Sequence, residues 1–551
     1  MLCTFNSIED LNLHLADDLS DTVYLLVRGF QSLNHFTAIP IRPLTLLYGP
    51  NSAGKSAIFD ALSYLESSFA SETQKGHFNR WHNLKSPEIS VGFSWKGNLA
   101  QTIQWAWWCD MGFSGNVLHE IDESTLDPFF QNTEEFRQTW LIRDALSANE
   151  RIVELYAKSI SVATIRITDD DNCSEFSISR SGVNALGACP KNTESLWRML
   201  KDLPQGLNQD NSDKIELFDT SHEMFWVEWK ELTTSTESAN RPRVRPYSTE
   251  LSSSRHPANL SDLIRIFFIR PRLRLTSSGR SLLIGPLRPI FSDSQLKFIC
   301  EPGKQAAPLS GDTRSAIEIW KILATEVAQG VSASNSASEL SEKTKCQTLL
   351  QEANRWLNDP QFFGAEYKLN ASTYWVTPTD PETAENSENR NIIVEIWVEN
   401  SSGNRLGFLD VGTGFSQVIP IVLSALTVQA TLAVEQPELH LHPRVQHSVA
   451  DLFIESLHRD RCKFCIVETH SEHIMLRTLR RIRETGQSRI PHSRLKLTPA
   501  NVSVLYFEPD EGQTYVHELR VTDEGEFMDK WPKGFFEERY EDLFDEPRMG
   551  G

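Results

Sequence analysis

The chain has 551 residues, a formal net charge of −20 and eight cysteines. That length exceeds what one hydrophobic core usually serves, so two or more lobes are expected. It holds no run of 18 apolar residues, which argues against a membrane-spanning helix. The scattered cysteines suit a reducing compartment better than a disulfide framework, and the acidic Met1–Asp21 stretch is unlike a secretory signal. A cytoplasmic location is therefore expected.

In chain order, residues 1–65 alternate strands and turns. The apolar strand Leu44–Tyr48 runs straight into Gly49-Pro-Asn-Ser-Ala-Gly-Lys-Ser56, after which Ile58, Ala61, Leu62 and Leu65 share one helical face. Strand, glycine-rich octapeptide and helix in that order form a phosphate-binding loop. The backbone at Gly49, Asn51, Ser52 and Gly54 would cradle phosphates at a helix N-terminus. Lys55 would reach the β- and γ-phosphates as an exposed ligand, and the Ser56 hydroxyl would hold Mg²⁺. ATP with Mg²⁺ is the expected ligand.

From 67 to 281 the pattern is irregular. Ile103–Trp108 and Val162–Ile167 read as strands, and Thr133–Tyr156 as a helix. Between Arg241 and Arg288 there are ten arginines, no lysine and two acids; a second basic stretch spans Arg477–Lys496. Such stretches can contact phosphates, or be paired with acids elsewhere. Residues 312–358 read as helices with a serine-rich break near Ser332–Ser341, and regular α/β patterning resumes over 392–507. No repeat or sustained heptad run is present. The expected organisation is an N-terminal ATPase lobe (1–66), an inserted variable region (67–281), a helical connecting lobe (282–391), a C-terminal ATPase lobe (392–507) and a short acidic unit (508–551).

The C-terminal lobe carries three further motifs. Asp410-Val-Gly-Thr-Gly-Phe-Ser-Gln417 precedes an apolar helix, so Gly412, Gly414 and Ser416 would offer backbone donors to an anion. The strand Thr431–Val434 ends in Glu435-Gln436-Pro437-Glu438, where an acid past a buried strand holds Mg²⁺. The strand Phe464–Val467 leads to Glu468-Thr469-His470, placing an imidazole where it could meet the γ-phosphate. Ser56 and Glu435 are the candidate metal ligands; Glu435, Gln436, Glu438 and His470 are the candidate catalytic residues. His440 and His442 read as structural or loop contacts, and Cys462 and Cys465 as buried thiols.

In this order the motifs resemble AAA-type ATPases with ABC-style signatures related to the OLD family and SMC-type heads, close to the ATPase subunits of Septu-type and retron-associated anti-phage systems. The resemblance rests on the phosphate loop, Gly29–Ser32, Ile284–Arg288, Asp410–Pro420, Val434–Pro443, Val467–Ile474 and Trp531–Phe536, and covers roughly 20–65 and 282–540. It implies an α/β fold: a P-loop NTPase head of ABC type assembled from both chain ends, with a large inserted α+β region. It further implies a homodimer that sandwiches ATP, the Gly412–Ser416 turn of one copy closing on the phosphate loop of the other. An HNH-type nuclease subunit would be the partner, with a reverse transcriptase and its nucleic acid as further partners through Arg241–Arg288 and Arg477–Lys496.

One departure bears on rate. The resemblance leads one to expect two acids after the strand, but here the pair is Glu435-Gln436. An amide cannot take a proton from water, so slow hydrolysis is expected, with Glu438 as a substitute base. A stand-alone nuclease does not fit the short stretch after His470, and a transporter subunit does not fit the long separation of Lys55 from Ser416. An SMC/OLD-like DNA-repair or DNA-processing ATPase is the alternative.

Overall fold

The computed structural model describes residues 3–68, 88–97, 136–145, 150–157, 160–168, 174–177, 214–218, 223–228, 243–246, 282–300, 317–335, 340–376 and 391–532, apart from the single positions 17, 19, 287, 289, 293, 429, 430, 460 and 461. The N-terminal elements are β1 (Thr4–Phe5), α1 (Ile8–Ala16), β2 (Val23–Arg28), β3 (Phe36–Ile41), β4 (Leu44–Tyr48) and α2 (Ala57–Ser68). There follow β5 (Glu88–Gly97), β6 (Phe136–Ala145), β7 (Glu150–Ala157), β8 (Ile160–Thr168) and β9 (Ser174–Ser177). All of these strands except β4 form an eight-stranded sheet in the order β1-β3-β2-β5-β6-β7-β8-β9, antiparallel at every pairing. Strands β10 (Lys214–Phe218), β11 (Glu223–Glu228) and β12 (Arg243–Pro246) make a separate three-stranded sheet.

The expected helix over Thr133–Tyr156 is corrected here: β6 and β7 form a hairpin with Ala145 opposite Glu150. The misreading has a physical cause. On β6 the polar residues Arg137, Thr139 and Asp144 are buried along with Leu141 and Ile142, so burial there does not show as a hydrophobic alternation. Arg137 donates to the Asp18 and Thr22 carbonyls, and Thr139 to Ser94 on β5, contacts visible only once the strands are paired. The expected strand at Val162–Ile167 lies within β8. Ile103–Trp108 lies outside the described residues.

The chain continues with β13 (Leu282–Ile284), β14 (Lys297–Cys300), α3 (Ile317–Asn335), α4 (Leu340–Asn358), β15 (Lys368–Trp375), β16 (Ile392–Glu399) and β17 (Arg405–Leu406). Then come α5 (Thr413–Thr427), β18 (Thr431–Glu435), α6 (Pro443–Leu457), β19 (Phe464–Glu468), α7 (Glu472–Gly486), β20 (Val502–Asp510) and β21 (Gln513–Leu519). The helices α3 and α4 break where the serine-rich stretch was expected to break them. They pack on each other, on the β14-β16-β15 sheet and on α5. Trp320 and Trp356 are fully buried there.

The central sheet has the order β13-β18-β19-β4-β20-β21. Its first five strands run parallel and β21 returns antiparallel to β20. Strand β4, from near one end of the sequence, thus lies between β19 and β20, from near the other. Every residue of β4 and β19 is buried, as a parallel sheet covered on both faces requires. Thr45, the polar member of β4, satisfies its hydroxyl on the Arg42 carbonyl. The fold is α/β, and its central sheet joins segments from near both ends of the sequence. The expected boundary at 508 falls inside β20, because the sheet continues through β21.

Candidate nucleotide site

The loop between β4 and α2 lies at the carboxyl edge of the parallel strands, where open α/β sheets bind ligands. Gly54 has φ +80° and a Cβ there would come within 2.4 Å of the Ser32 hydroxyl, so both conformation and space demand glycine. Ser32 in turn shares a 2.6 Å hydrogen bond with Thr514, which donates to the Ala53 carbonyl. The Gly29–Ser32 segment and β21 therefore brace the loop from opposite ends of the sequence. Asn51 and Ser52 are exposed at its rim.

Lys55 is not the exposed side chain that was expected. It is 3% exposed, donating to the carbonyls of Gly49 (3.1 Å) and Pro50 (2.8 Å), with Glu468 at 3.9 Å. Burial lowers its pKa, and the carboxylates of Glu468 and Glu438 partly offset that. The ammonium has folded over its own loop, where phosphate oxygens would replace the carbonyls as its partners. The Ser56 hydroxyl donates to Glu468 Oε2 at 2.8 Å. Glu468, at the end of β19, is buried and was not among the expected site residues. The signal that could have found it is an acid closing a buried apolar strand, the same signal used for Glu435.

Glu435 closes β18 directly opposite Glu468 in the parallel register. Gln436 turns the chain with φ +45°; its N–H donates to the Glu468 carbonyl at 2.7 Å. Glu438 is turned away from solvent and clamps the next turn, accepting from Thr469 Oγ1 (2.8 Å) and the His470 N–H (2.7 Å). Burial raises its pKa against these hydrogen bonds. His470 is half-buried; burial and the nearby Lys55 charge lower its pKa, which favours the neutral ring. Its Nε2 is buried without a hydrogen-bond partner among the described residues. An orphaned ring nitrogen beside a phosphate loop fits a bound nucleotide. Ser471 then caps α7, accepting from the Ile474 N–H.

The Gly412–Ser416 turn is placed against a different neighbour. Gly412 and Thr413 are exposed at the start of α5. A Cβ on Gly414 would lie 2.8 Å from the His440 carbonyl, so that turn is packed on the segment after β18. Ser416 faces inward and donates to the Phe408 carbonyl, leaving the backbone at Gly412 and Thr413 as the accessible part of the motif. His440 is exposed with φ +64°, and His442 caps α6 by accepting from the Arg444 N–H. Cys462 and Cys465 are buried thiols, and burial pushes Cys462 up to about 11.

In the second basic stretch the arginines are largely paired with acids. Arg477 and Arg481 both donate to Asp451, and Arg480 and Arg481 to Glu484. Arg483 donates to the Glu524 carbonyl, and Arg494 lies 3.6 Å from Glu455. Much of Arg477–Lys496 is therefore committed to the protein's own acids and carbonyls. Most of Arg241–Arg288 lies outside the described residues. Its last member, Arg288, is buried and donates to Gln417 Oε1 (3.3 Å) and the Gln436 carbonyl (3.1 Å), joining α5 to the turn after β18. Burial lowers its pKa to about 10. Among the described residues no helix is long and apolar enough to cross a membrane.

Three family models match the chain. One described as "AAA domain" covers residues 24–219, and one described as "AAA domain, putative AbiEii toxin, Type IV TA system" covers 327–476. A third, "Protein of unknown function (DUF3696)", covers 497–545. No curated protein matches. Solved structures similar to this chain include an SMC head bound to the C-terminal winged-helix domain of ScpA. It has 12% identity and a TM-score of 0.37, covering 91% of this chain and 98% of that one. An SMC head with extended coiled coil bound to the C-terminal domain of ScpA, from Pyrococcus furiosus, has 9% identity and a TM-score of 0.34, covering 91% and 96%. The SMC head of Thermotoga maritima has 10% identity and a TM-score of 0.33, covering 91% and 100%. The two AAA matches between them contain the phosphate loop, the Gly412–Ser416 turn, Glu435 and His470, so those motifs lie in regions that match AAA-type ATPase domains.

Proposed function

We propose that this protein is an ATP-binding, slowly hydrolysing ABC-type ATPase subunit that regulates a partner nuclease in bacterial anti-phage defence, of the Septu-like or retron-associated kind. The observation that carries the nucleotide part is the convergence of Lys55, Ser56, Glu468, Glu435 and His470 at one edge of the parallel sheet. Bound Mg²⁺ would supply charge neutralisation for the phosphates, with Ser56 and Glu435 as its protein ligands. Lys55 would leave its loop carbonyls for phosphate oxygens. His470 would offer its unpartnered Nε2 to the γ-phosphate.

Defence is supported by the sequence blocks that resemble Septu-type subunits and by the family description that names an AbiEii toxin. A dimer closed on ATP is supported by the uncapped, exposed start of α5 at Gly412 and Thr413, beside the exposed Leu409. Docking there would bring a second helix N-terminus to the triphosphate. An HNH-type nuclease is the proposed partner, with a reverse transcriptase in retron-associated operons. The alternative, an SMC/OLD-like DNA-processing ATPase, shares the same site chemistry. Co-purification from the native operon separates the two: a nuclease subunit retained on the tagged chain supports defence, whereas DNA-stimulated turnover without a protein partner supports the alternative.

A further inference from the structure

The sequence lacks a second acid in series after Glu435, yet the sheet supplies one in parallel. Glu435 and Glu468 close adjacent parallel strands and are register partners. Paired residues of neighbouring strands project to the same face, at roughly the 5 Å strand spacing. Glu468 is 4% exposed, and its two oxygens face the Ser56 hydroxyl at 2.8 Å and the Lys55 ammonium at 3.9 Å. Gln436 contributes from its backbone: its N–H fixes the carbonyl of Glu468 at 2.7 Å and so holds the two strand ends together.

We infer that Glu468 is a second carboxylate of the nucleotide's divalent-cation site, working with Ser56 and Glu435. Carboxylates that close neighbouring strands on one face can converge on a shared cation, which offsets their mutual repulsion. Lys55 serves only in part, because it is spent on two loop carbonyls and must move to the phosphates when nucleotide binds. The hydroxyl that phosphate loops dedicate to the metal is already bonded to Glu468, so that carboxylate lies beside the place the metal would take. The inference rests on the nucleotide-binding reading.

The test uses the full chain and two probes. Calorimetry compares ATP binding in excess EDTA with binding in Mg²⁺, and electron paramagnetic resonance counts free Mn²⁺ in the presence of ADP. Glu468→Gln is isosteric and keeps an acceptor for Ser56, and Glu468→Asp keeps the charge. Wild type is expected to bind ATP more tightly with Mg²⁺ and to deplete the free Mn²⁺ signal. Glu468→Gln is expected to lose about tenfold or more of the gain in affinity that metal gives over EDTA. Glu468→Asp is expected to restore part of that gain. A Glu468→Gln protein that melts cooperatively and depletes Mn²⁺ as wild type does overturns the inference. Absence of ATP binding by wild type, with or without metal, sinks the nucleotide reading itself and is a separate outcome.

Discussion

Lys55 closed over its own loop sets the first expectation at the scale of single residues. Its partners are carbonyls of Gly49 and Pro50, not core groups, so Lys55→Ala should leave cooperative melting intact while removing ATP binding. Calorimetry showing wild-type affinity in that variant would refute the phosphate-loop assignment. Gln436 sets the second. Its side chain offers water no proton acceptor, and a general base supplies about 10²–10⁴-fold in rate. Wild-type turnover should therefore fall below about 10 per second, the median for enzymes, and Gln436→Glu should raise it. Glu438 is poorly suited to replace that base, because both its oxygens are engaged by Thr469 and His470. If Glu438→Gln leaves the slow rate unchanged in a steady-state phosphate-release assay, it is a clamp and not the base. The contiguous loop 49–56 was legible because its chemistry lies within eight consecutive residues. Glu468 was not, because its contact with Ser56 depends on which strands are neighbours, a fact no local window contains.

At the scale of elements, the turn before α5 and the segment after β18 are packed tightly on each other. A methyl on Gly414 meets the His440 carbonyl at 2.8 Å, and backbone cannot step aside cheaply. Gly414→Ala should lower the melting temperature by about 1–2 °C, consistent with a cost of about 1–2 kcal/mol. Arg288 links the same two segments from within, and nothing in its arginine-rich stretch set it apart as buried. The β14-β16-β15 sheet makes a different prediction. Arg405 and Lys297 lower the Glu395 pKa from 4.5 to about 2. A depressed folded-state pKa stabilises the fold above the unfolded value, and that contribution is lost as pH falls through the folded one. Glu395→Gln should thus lower stability at neutral pH and lose less than wild type between pH 4.5 and 2. Its partners are exposed, so the effect should stay near or below about 1 kcal/mol and shrink in salt. Equal acid sensitivity of the two proteins would show the ion pairs contribute nothing. Helices α3 and α4 were readable from their period. The β6–β7 hairpin was not, since its buried face carries Arg137 and Thr139 and looks polar to any apolar count.

For the whole molecule, the exposed start of α5 makes assembly the observable. ATP with Mg²⁺ should shift the chain from monomer toward dimer in light scattering, and replacing Thr413 by a bulky acid should block that shift without lowering ATP affinity in the monomer. Mass unaffected by nucleotide would argue against the sandwich. The purified chain should not cut nucleic acid, whereas its complex with the operon nuclease should; cleavage by the isolated chain would reassign it. The head's construction from both ends was legible because its motifs are ordered along the chain.

The position of β4 between β19 and β20 has a consequence for how the protein is made. During synthesis this wholly buried strand leaves the ribosome more than 400 residues before its two sheet neighbours. Pairing across so long an intervening chain is slow, and unpaired apolar strands aggregate. Holding by a chaperone during elongation would suit such a chain, and ATP would be captured only after the last strands arrive. The nucleotide can then act as a proofreader of completion: a ribosome that stalls before β19 releases a product with half a phosphate site and no means of switching anything on or off.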